Sequence, residues 1–210
     1  MAKVHPAQAS TLSDESDPCS TMSNSAGIRE TFTIWMKSLV CHTNGCTVFD
    51  SNGDIVYRVE NYDTKGSSEV QLMDLHGTVL FTILKKKLQI CGRWNGYRGN
   101  FTGKNMKGKK PCFQVKKNCS IFRRSDNNIA CEVTVGFNKF WIVRLLGGKK
   151  LQGFKIVNFN GETVAEVKQK QLSSGMVLGD DVLSLEIEPY IDHSLIVALV
   201  IVYGLINRKL

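Results

Sequence analysis

The segment from residue 85 to residue 124 concentrates side chains that could bind an anion. It contains 13 of the 27 Lys and Arg residues, and no Asp or Glu occurs between Asp74 and Asp126. Aromatic side chains are interleaved with these cations: Trp94, Tyr97, Phe101 and Phe113. An ordinary solvated surface mixes both signs of charge. The segment therefore indicates a docking surface for an anionic partner.

An anionic membrane surface is the first candidate for that partner. Each Lys or Arg near an anionic leaflet contributes about 1 kcal/mol, and Trp and Tyr favour the depth of the headgroups. The candidate lipid-binding residues are Lys85, Lys86, Lys87, Arg93, Lys104, Lys107, Lys109, Lys110, Lys116, Lys117, Arg123 and Arg124.

Three alternatives stay open for the same residues. Nucleic acid also offers phosphates to neutralise and bases to stack, although no recognition-helix signature accompanies the cations. A protein-interaction adaptor without lipid binding is favoured if the cations prove scattered around the fold. The third alternative is the solvated face of a basic protein, whose formal net charge is +8.

Two constellations that resemble catalytic sites lack the complete pattern. A phosphate loop of the Walker A type needs four residues between its glycines and a hydroxyl after its lysine. Here three residues separate Gly99 from Gly103, and Asn105 follows the lysine. Asp180 and Asp181 are adjacent, and neighbouring residues of a strand point to opposite faces, so a turn is the better interpretation. No catalytic residues are assigned, and an enzyme is not expected.

The cysteines indicate neither a metal site nor a disulfide framework. Cys41, His42 and Cys46 could supply zinc ligands, but a structural zinc site needs four and no second pair is present. We expect no metal and no other cofactor. The cysteines are odd in number and irregularly spaced, which predicts free thiols in a reducing compartment: Cys19, Cys41, Cys46, Cys91, Cys112, Cys119 and Cys131.

Residues 1–28 differ in amino-acid composition from the rest of the chain. They are rich in Ser, Thr, Asp and Ala and have no apolar periodicity, which predicts a disordered leader followed by a single domain over residues 29–210. No cationic stretch followed by an apolar one begins the sequence, so we expect an intracellular, unsecreted protein. Its expected location is the cytoplasm, with access to the plasma membrane or the nucleus. We expect a monomer whose protein partners are unknown.

A repeated pattern predicts the elements that must position these residues. Residues 49–59, 73–83 and 157–167 align without gaps as apolar strands on either side of a turn. Asn or His precedes the turn glycine in each copy, which predicts hairpins with type I′ turns. The turn glycines are Gly53, Gly77 and Gly161.

The carboxyl-terminal region is the exception to the strand pattern. Residues from Leu195 to Ile206 are uninterruptedly apolar, and Asp192 can cap the start of a helix there. A membrane span needs about 20 apolar residues, so this helix is too short and no transmembrane span is expected. A helix that is apolar on every face belongs inside protein. The sequence therefore predicts a mainly β protein, a closed antiparallel barrel around a buried helix.

The chain resembles the LURP-one-related family of plants, which has the tubby C-terminal-like fold and is distantly similar to phospholipid scramblases. The similarity runs from Phe32 to Arg208 through Met36–Leu39, Val48–Gly53, Tyr57–Tyr62, Leu72–Asp74, Val164–Lys168 and Gly179–Val182. It implies about twelve strands around the central helix. It further implies an association with plant defence, and the similarity to tubby proteins implies membrane tethering through phosphoinositides and a connection with transcription.

Overall fold

The structure, a computed structural model, describes residues 27–36, 45–64, 67–86, 92–101, 108–118, 128–147, 150–172 and 174–207. These residues form twelve strands and one helix. The strands are β1 (Glu30–Trp35), β2 (Cys46–Phe49), β3 (Ile55–Thr64), β4 (Ser67–Asp74), β5 (Val79–Lys86), β6 (Arg93–Arg98), β7 (Phe113–Lys117), β8 (Ile129–Val135), β9 (Asn138–Gly147), β10 (Lys150–Asn158), β11 (Thr163–Gln169) and β12 (Val182–Ile187). The helix is α1 (His193–Ile206).

The twelve strands close into one antiparallel barrel. Each strand pairs with its neighbours in the sequence, and β1 pairs with β12 to close the sheet. Buried and more exposed residues alternate along the strands, because a barrel buries the side chains on its inner face only. In β12, for example, Leu183, Leu185 and Ile187 are buried while the residues between them are partly exposed. The predicted closed barrel is confirmed.

The helix α1 fills the barrel. All residues from Leu195 to Gly204 are buried, so no face of the helix contacts solvent over that stretch. Asp192 is its N-cap, and its carboxylate accepts a hydrogen bond from the Leu195 amide at 3.2 Å. The predicted core helix is confirmed. Among the described residues, no helix has the length and hydropathy that crossing a membrane requires.

The direction of α1 distinguishes the two ends of the barrel. We call the end near Asp192 the N-cap end; it also holds the hairpin turns after β2, β4, β8 and β10. The opposite end, near Asn207, is the C-cap end. Strands β5, β7, β9 and β11 finish at the C-cap end, and β6, β8, β10 and β12 begin there, because consecutive strands are antiparallel.

The three repeated hairpins differ from the predicted turn type. Gly53, Gly77 and Gly161 have φ values of 89°, 81° and 82°, but the Asn or His before each of them does not have positive φ. The Gly53 amide donates to the Asp50 carbonyl at 3.2 Å, and the other two turns repeat this bond. This is a type I turn followed by a left-handed glycine, a common three-residue hairpin loop. The prediction of type I′ turns is therefore wrong.

An acidic or amide side chain at the start of each loop explains this geometry. In the first hairpin the Asp50 carboxylate accepts the amides of Asn52 and Asp54, both at 2.9 Å. The carboxylate of Asp74 and the amide oxygen of Asn158 make the equivalent pairs of bonds. Such side chains stabilise a turn by satisfying amides two and four residues onward.

The turn at Asp74 makes stability depend on pH. Hydrogen bonds from the Thr78 amide and then the His76 amide lower the pKa of the Asp74 carboxyl from its ordinary 3.8. A carboxyl group whose pKa is lower in the folded state than in the unfolded chain stabilises the fold at pH values above its unfolded pKa. That stabilisation is lost as the pH falls through its folded pKa. At neutral pH we expect the wild-type protein to unfold at a higher urea concentration than the Asp74→Asn variant. The difference between the two urea midpoints should disappear below pH 3.8. A difference that is constant from neutral to acidic pH contradicts this role.

The cysteines require one correction. Cys46 and Cys131 are free and buried, and burial raises the pKa of each thiol to about 12, so both stay protonated. Cys112, however, is disulfide-bonded. The prediction of a free thiol is wrong there, because spacing along a chain does not reveal which sulfur atoms a barrel brings together. Cys19, Cys41, Cys91 and Cys119 lie outside the described residues, as does His42.

Residues 1–26 also lie outside the described residues. The leader over residues 1–28 and the single domain over residues 29–210 therefore stay predictions. At the start of the described chain, Ile28 is exposed, and Arg29 forms ion pairs with Glu186 and Glu188 on the barrel.

Candidate anion-binding site

Five of the predicted lipid-binding residues lie together at the C-cap end of the barrel. They occupy the end of β5, the start of β6 and the end of β7, three strands that are neighbours in the sheet. The five are Lys85, Lys86, Arg93, Lys116 and Lys117. We call them the basic cluster.

Three members of the basic cluster form a row across the outer surface. Register pairs Lys86 with Arg93, and Arg93 with Lys116. All three point outward. Successive strand residues alternate between the two faces of the sheet, and Ile83 on β5 and Phe113 on β7, each three positions from a member of the row, are fully buried in the core. Directly paired residues have Cβ atoms about 5 Å apart, and like charges at this distance destabilise a sheet. Folding alone therefore does not favour such a row.

Arg93, at the centre of the row, is held in place by its neighbour. One terminal nitrogen of its guanidinium donates to the Gln114 side-chain oxygen at 2.6 Å. The Arg93 Nε is buried and has no hydrogen-bond partner within the described part of the chain. The other terminal N–H groups of the guanidinium are suited to a phosphate, which offers several acceptor oxygens.

The other two members lie on the rim of the barrel. The alternation along β5 directs Lys85 towards the inside of the barrel, but this residue lies beyond the core. Its ammonium is 6.0 Å from the centre of the Trp94 ring. Lys117 lies close to the thiol of Cys131. The main cause of the raised Cys131 pKa is burial, and the charges of Arg144 and Lys117 oppose it.

Arg144 adds a cation that sequence reasoning did not select. It lies near the end of β9, and β9 pairs with β8, which in turn pairs with β7. Arg144 is therefore brought towards Lys117 by the order of the strands, although 27 positions separate the two in sequence. Only the strand order of a meander could have indicated it.

Few negative charges oppose the basic cluster. Glu132 is in register with Lys116, but its carboxylate lies 3.7 Å from the ammonium of Lys139. Within the described ranges, no member of the basic cluster takes part in an ion pair. The acidic residues that the structure describes therefore leave the charge of the cluster unneutralised.

The remaining described candidates, Lys109 and Lys110, lie at the N-cap end instead. The ammonium of Lys109 is 4.5 Å from the centre of the Phe101 ring, and that of Lys110 is 5.4 Å from Phe137, which is 90% exposed. The length of β6 separates them from the basic cluster by about 16 Å. Other candidates lie outside the described residues: Lys87, Lys104, Lys107, Arg123 and Arg124.

Arg98, a cation of the same segment, has a different role. Its guanidinium pairs with the Asp192 carboxylate at 2.8 Å and lies 5.0 Å from the centre of the Phe81 ring. Arg98 therefore anchors the start of α1 and is not part of a docking surface.

Residues considered for chemistry are engaged in the fold. Asp180 and Asp181 lie in the turn before β12, and Asp180 accepts a hydrogen bond from the Gln169 side chain at 2.8 Å. No cluster of three or more His, Cys, Asp or Glu side chains that could hold a metal occurs in the described part of the chain.

Comparison with known proteins agrees with this architecture. The LURP-one-related family model matches residues 30–204. LURP-one-related 4 of Arabidopsis thaliana is 52% identical over 181 residues, covering 85% of this chain and 79% of that protein. LURP-one-related 11 of the same plant is 39% identical over 211 residues, covering 99% and 89%.

A solved structure also shares the fold. The X-ray structure of a protein from Arabidopsis thaliana superposes with a TM-score of 0.58 at 19% identity, covering 87% of this chain and 93% of that one. At this identity the likeness concerns the fold alone, and the family assignment rests on the sequence matches. The chain belongs to the LURP-one-related family.

Proposed function

We propose that this protein is a non-enzymatic docking module that binds anionic membranes containing phosphoinositides through the basic cluster. The observation that carries the proposal is the outward row formed by Lys86, Arg93 and Lys116 on three adjacent strands. The resemblance to tubby-like proteins supports phosphoinositides as the headgroup class, and membership of the LURP-one-related family supports a regulatory role in plant defence.

The geometry favours a multiply charged headgroup over a single carboxylate. Strands lie about 4.8 Å apart, so the outer cations of the row are about 10 Å apart along the surface. One headgroup with several phosphates can contact more than one of them, and neighbouring lipids can engage Lys85 and Lys117 on the rim. Cations at about 1 kcal/mol each together support a reversible, micromolar association.

The alternatives have less support. A protein-interaction adaptor is favoured by scattered cations, whereas five of the seven candidates among the described residues gather at one end of the barrel. For nucleic acid, α1 is enclosed by the sheet and is not available to enter a major groove.

A charge-matched pair of variants tests the site by vesicle co-sedimentation. Lys86→Glu with Lys116→Glu reverses two exposed cations of the row, and Lys109→Glu with Lys110→Glu makes the same charge change at the N-cap end. We expect the first variant to lose at least about 2 kcal/mol, roughly 30-fold, in affinity for phosphatidylcholine vesicles containing phosphatidylinositol bisphosphate. The second variant should bind nearly as wild type does.

Three further measurements complete the test. Binding should weaken as added salt shortens the Debye length from about 8 Å to about 3 Å. Phosphatidylserine vesicles of equal total charge measure the preference for the phosphoinositide, and duplex DNA measures the nucleic-acid alternative. Equal losses in both variants refute the assignment to the basic cluster. Failure of the wild-type chain to bind any anionic vesicle refutes membrane docking.

A further inference from the structure

A second feature of the C-cap end is a cavity beside the last turn of α1. Its volume is about 350 Å³, at the lower end of the range typical of small-molecule sites. Its apolar wall includes Met36, Phe154, Val167, Leu183 and Tyr203. Four of these residues come from β10, β11, β12 and α1, and Met36 directly follows β1, whereas the basic cluster lies on β5, β6 and β7. The cavity is thus a site separate from the basic cluster.

Tyr203 is one of the polar residues that line this cavity, together with Gln152, Gln169 and Asn207. Its side chain is 3% exposed, and its ring packs against Phe154 with centroids 4.3 Å apart. Its buried hydroxyl has no hydrogen-bond partner among the described residues. Leaving a buried hydroxyl unpaired is unfavourable, and a phenylalanine would fill the same volume without that cost. A ligand atom that bonds to the hydroxyl removes the cost.

The charged groups around the cavity are already partnered. The Lys168 ammonium lies 3.0 Å from the Glu166 carboxylate, and Asp180 accepts a hydrogen bond from Gln169. A charged ligand would have to lose its hydration, and neither group offsets this cost, because Lys168 is already paired with Glu166 and Asp180 is exposed to solvent. The site therefore suits an uncharged molecule.

We propose that this cavity binds a neutral, mainly apolar small molecule whose single oxygen-containing group forms a hydrogen bond with the Tyr203 hydroxyl. The inference is independent of the membrane-docking function, because it uses no residue of the basic cluster. The apolar body of the ligand packs against Phe154, Val167 and Leu183, and the hydroxyl sets its orientation.

Two probes of nearly equal size test the proposal. 2-Naphthol is uncharged at neutral pH and carries one hydroxyl, whereas naphthalene has the same rings without it. Binding to the full-length chain is followed by titration of amide chemical shifts. We expect wild type to bind 2-naphthol about fivefold more tightly than naphthalene, the effect of one hydrogen bond. The shifts should centre on Phe154, Val167 and Leu183.

The Tyr203→Phe variant isolates the hydroxyl. It should bind both probes equally and retain the naphthalene affinity of wild type, with an unchanged or higher melting temperature. Leu183→Trp, as a second variant, should block both probes by filling the cavity. The proposal is overturned if neither probe produces saturable shifts in wild type, if the shifts centre elsewhere, or if Tyr203→Phe keeps the preference for 2-naphthol.

Discussion

Val197→Asp is expected to abolish folding of the barrel, whereas the same change at Val177 is expected to have little effect. Val197 is fully buried in the middle of α1, and Val177 is 47% exposed in the loop between β11 and β12. An unpaired buried charge costs several kcal/mol, and the total stability of a typical domain is about 5 to 15 kcal/mol. A surface substitution usually changes stability by less than about 0.5 kcal/mol.

Circular dichroism and urea denaturation measure the contrast. The Val197→Asp chain should lack a cooperative transition, and Val177→Asp should unfold at nearly the wild-type midpoint. Leu199→Asp repeats the test two residues further along the buried helix, where Leu199 is 1% exposed. A cooperative transition of wild-type midpoint in Val197→Asp would mean that α1 is not the centre of the core.

The second large effect is expected at Asp192, where the helix begins. Its carboxylate accepts hydrogen bonds from the Leu195 amide and the Ser194 hydroxyl, at 3.2 and 2.6 Å, and pairs with Arg98 at 2.8 Å. Losing an N-cap costs about 1 kcal/mol. Since the Arg98 side chain is 33% exposed, solvent screens the ion pair, which contributes about 1 kcal/mol more. Asp192→Ala should therefore lower the free energy of unfolding by about 2 kcal/mol.

Asp192→Asn separates the two contributions. Asn caps helices as well as Asp does, so this variant keeps the cap and loses the charge. It should lose about half as much stability as Asp192→Ala, and Arg98→Met should lose a similar amount by removing the other partner. Wild-type stability in Asp192→Ala would show that neither contact holds the start of α1.

Short-range patterns in the sequence determined the barrel and its helix. Alternating apolar residues around Gly53, Gly77 and Gly161 predicted hairpins, and the apolar run from Leu195 to Ile206 predicted a helix with Asp192 as its cap. These predictions succeeded because strand alternation, hairpin turns and helix capping depend on residues only a few positions apart. The turn type was wrong because Asp50 and its counterparts favour a different loop by bonding to amides two and four residues ahead.

The arrangement of the cations was decided only by the tertiary structure. The segment from residue 85 to residue 124 is one basic run in sequence, yet the barrel places Lys86 beside Lys116 and carries Lys110 to the opposite end. It also brings Arg144 towards Lys117 and assigns Arg98 to the helix cap. The register of the sheet determines which residues are neighbours on adjacent strands. That register depends on the lengths of the strands and loops that lie between those residues in the sequence. The cavity at Tyr203 likewise depends on elements that are distant in sequence and meet only when the barrel closes around α1.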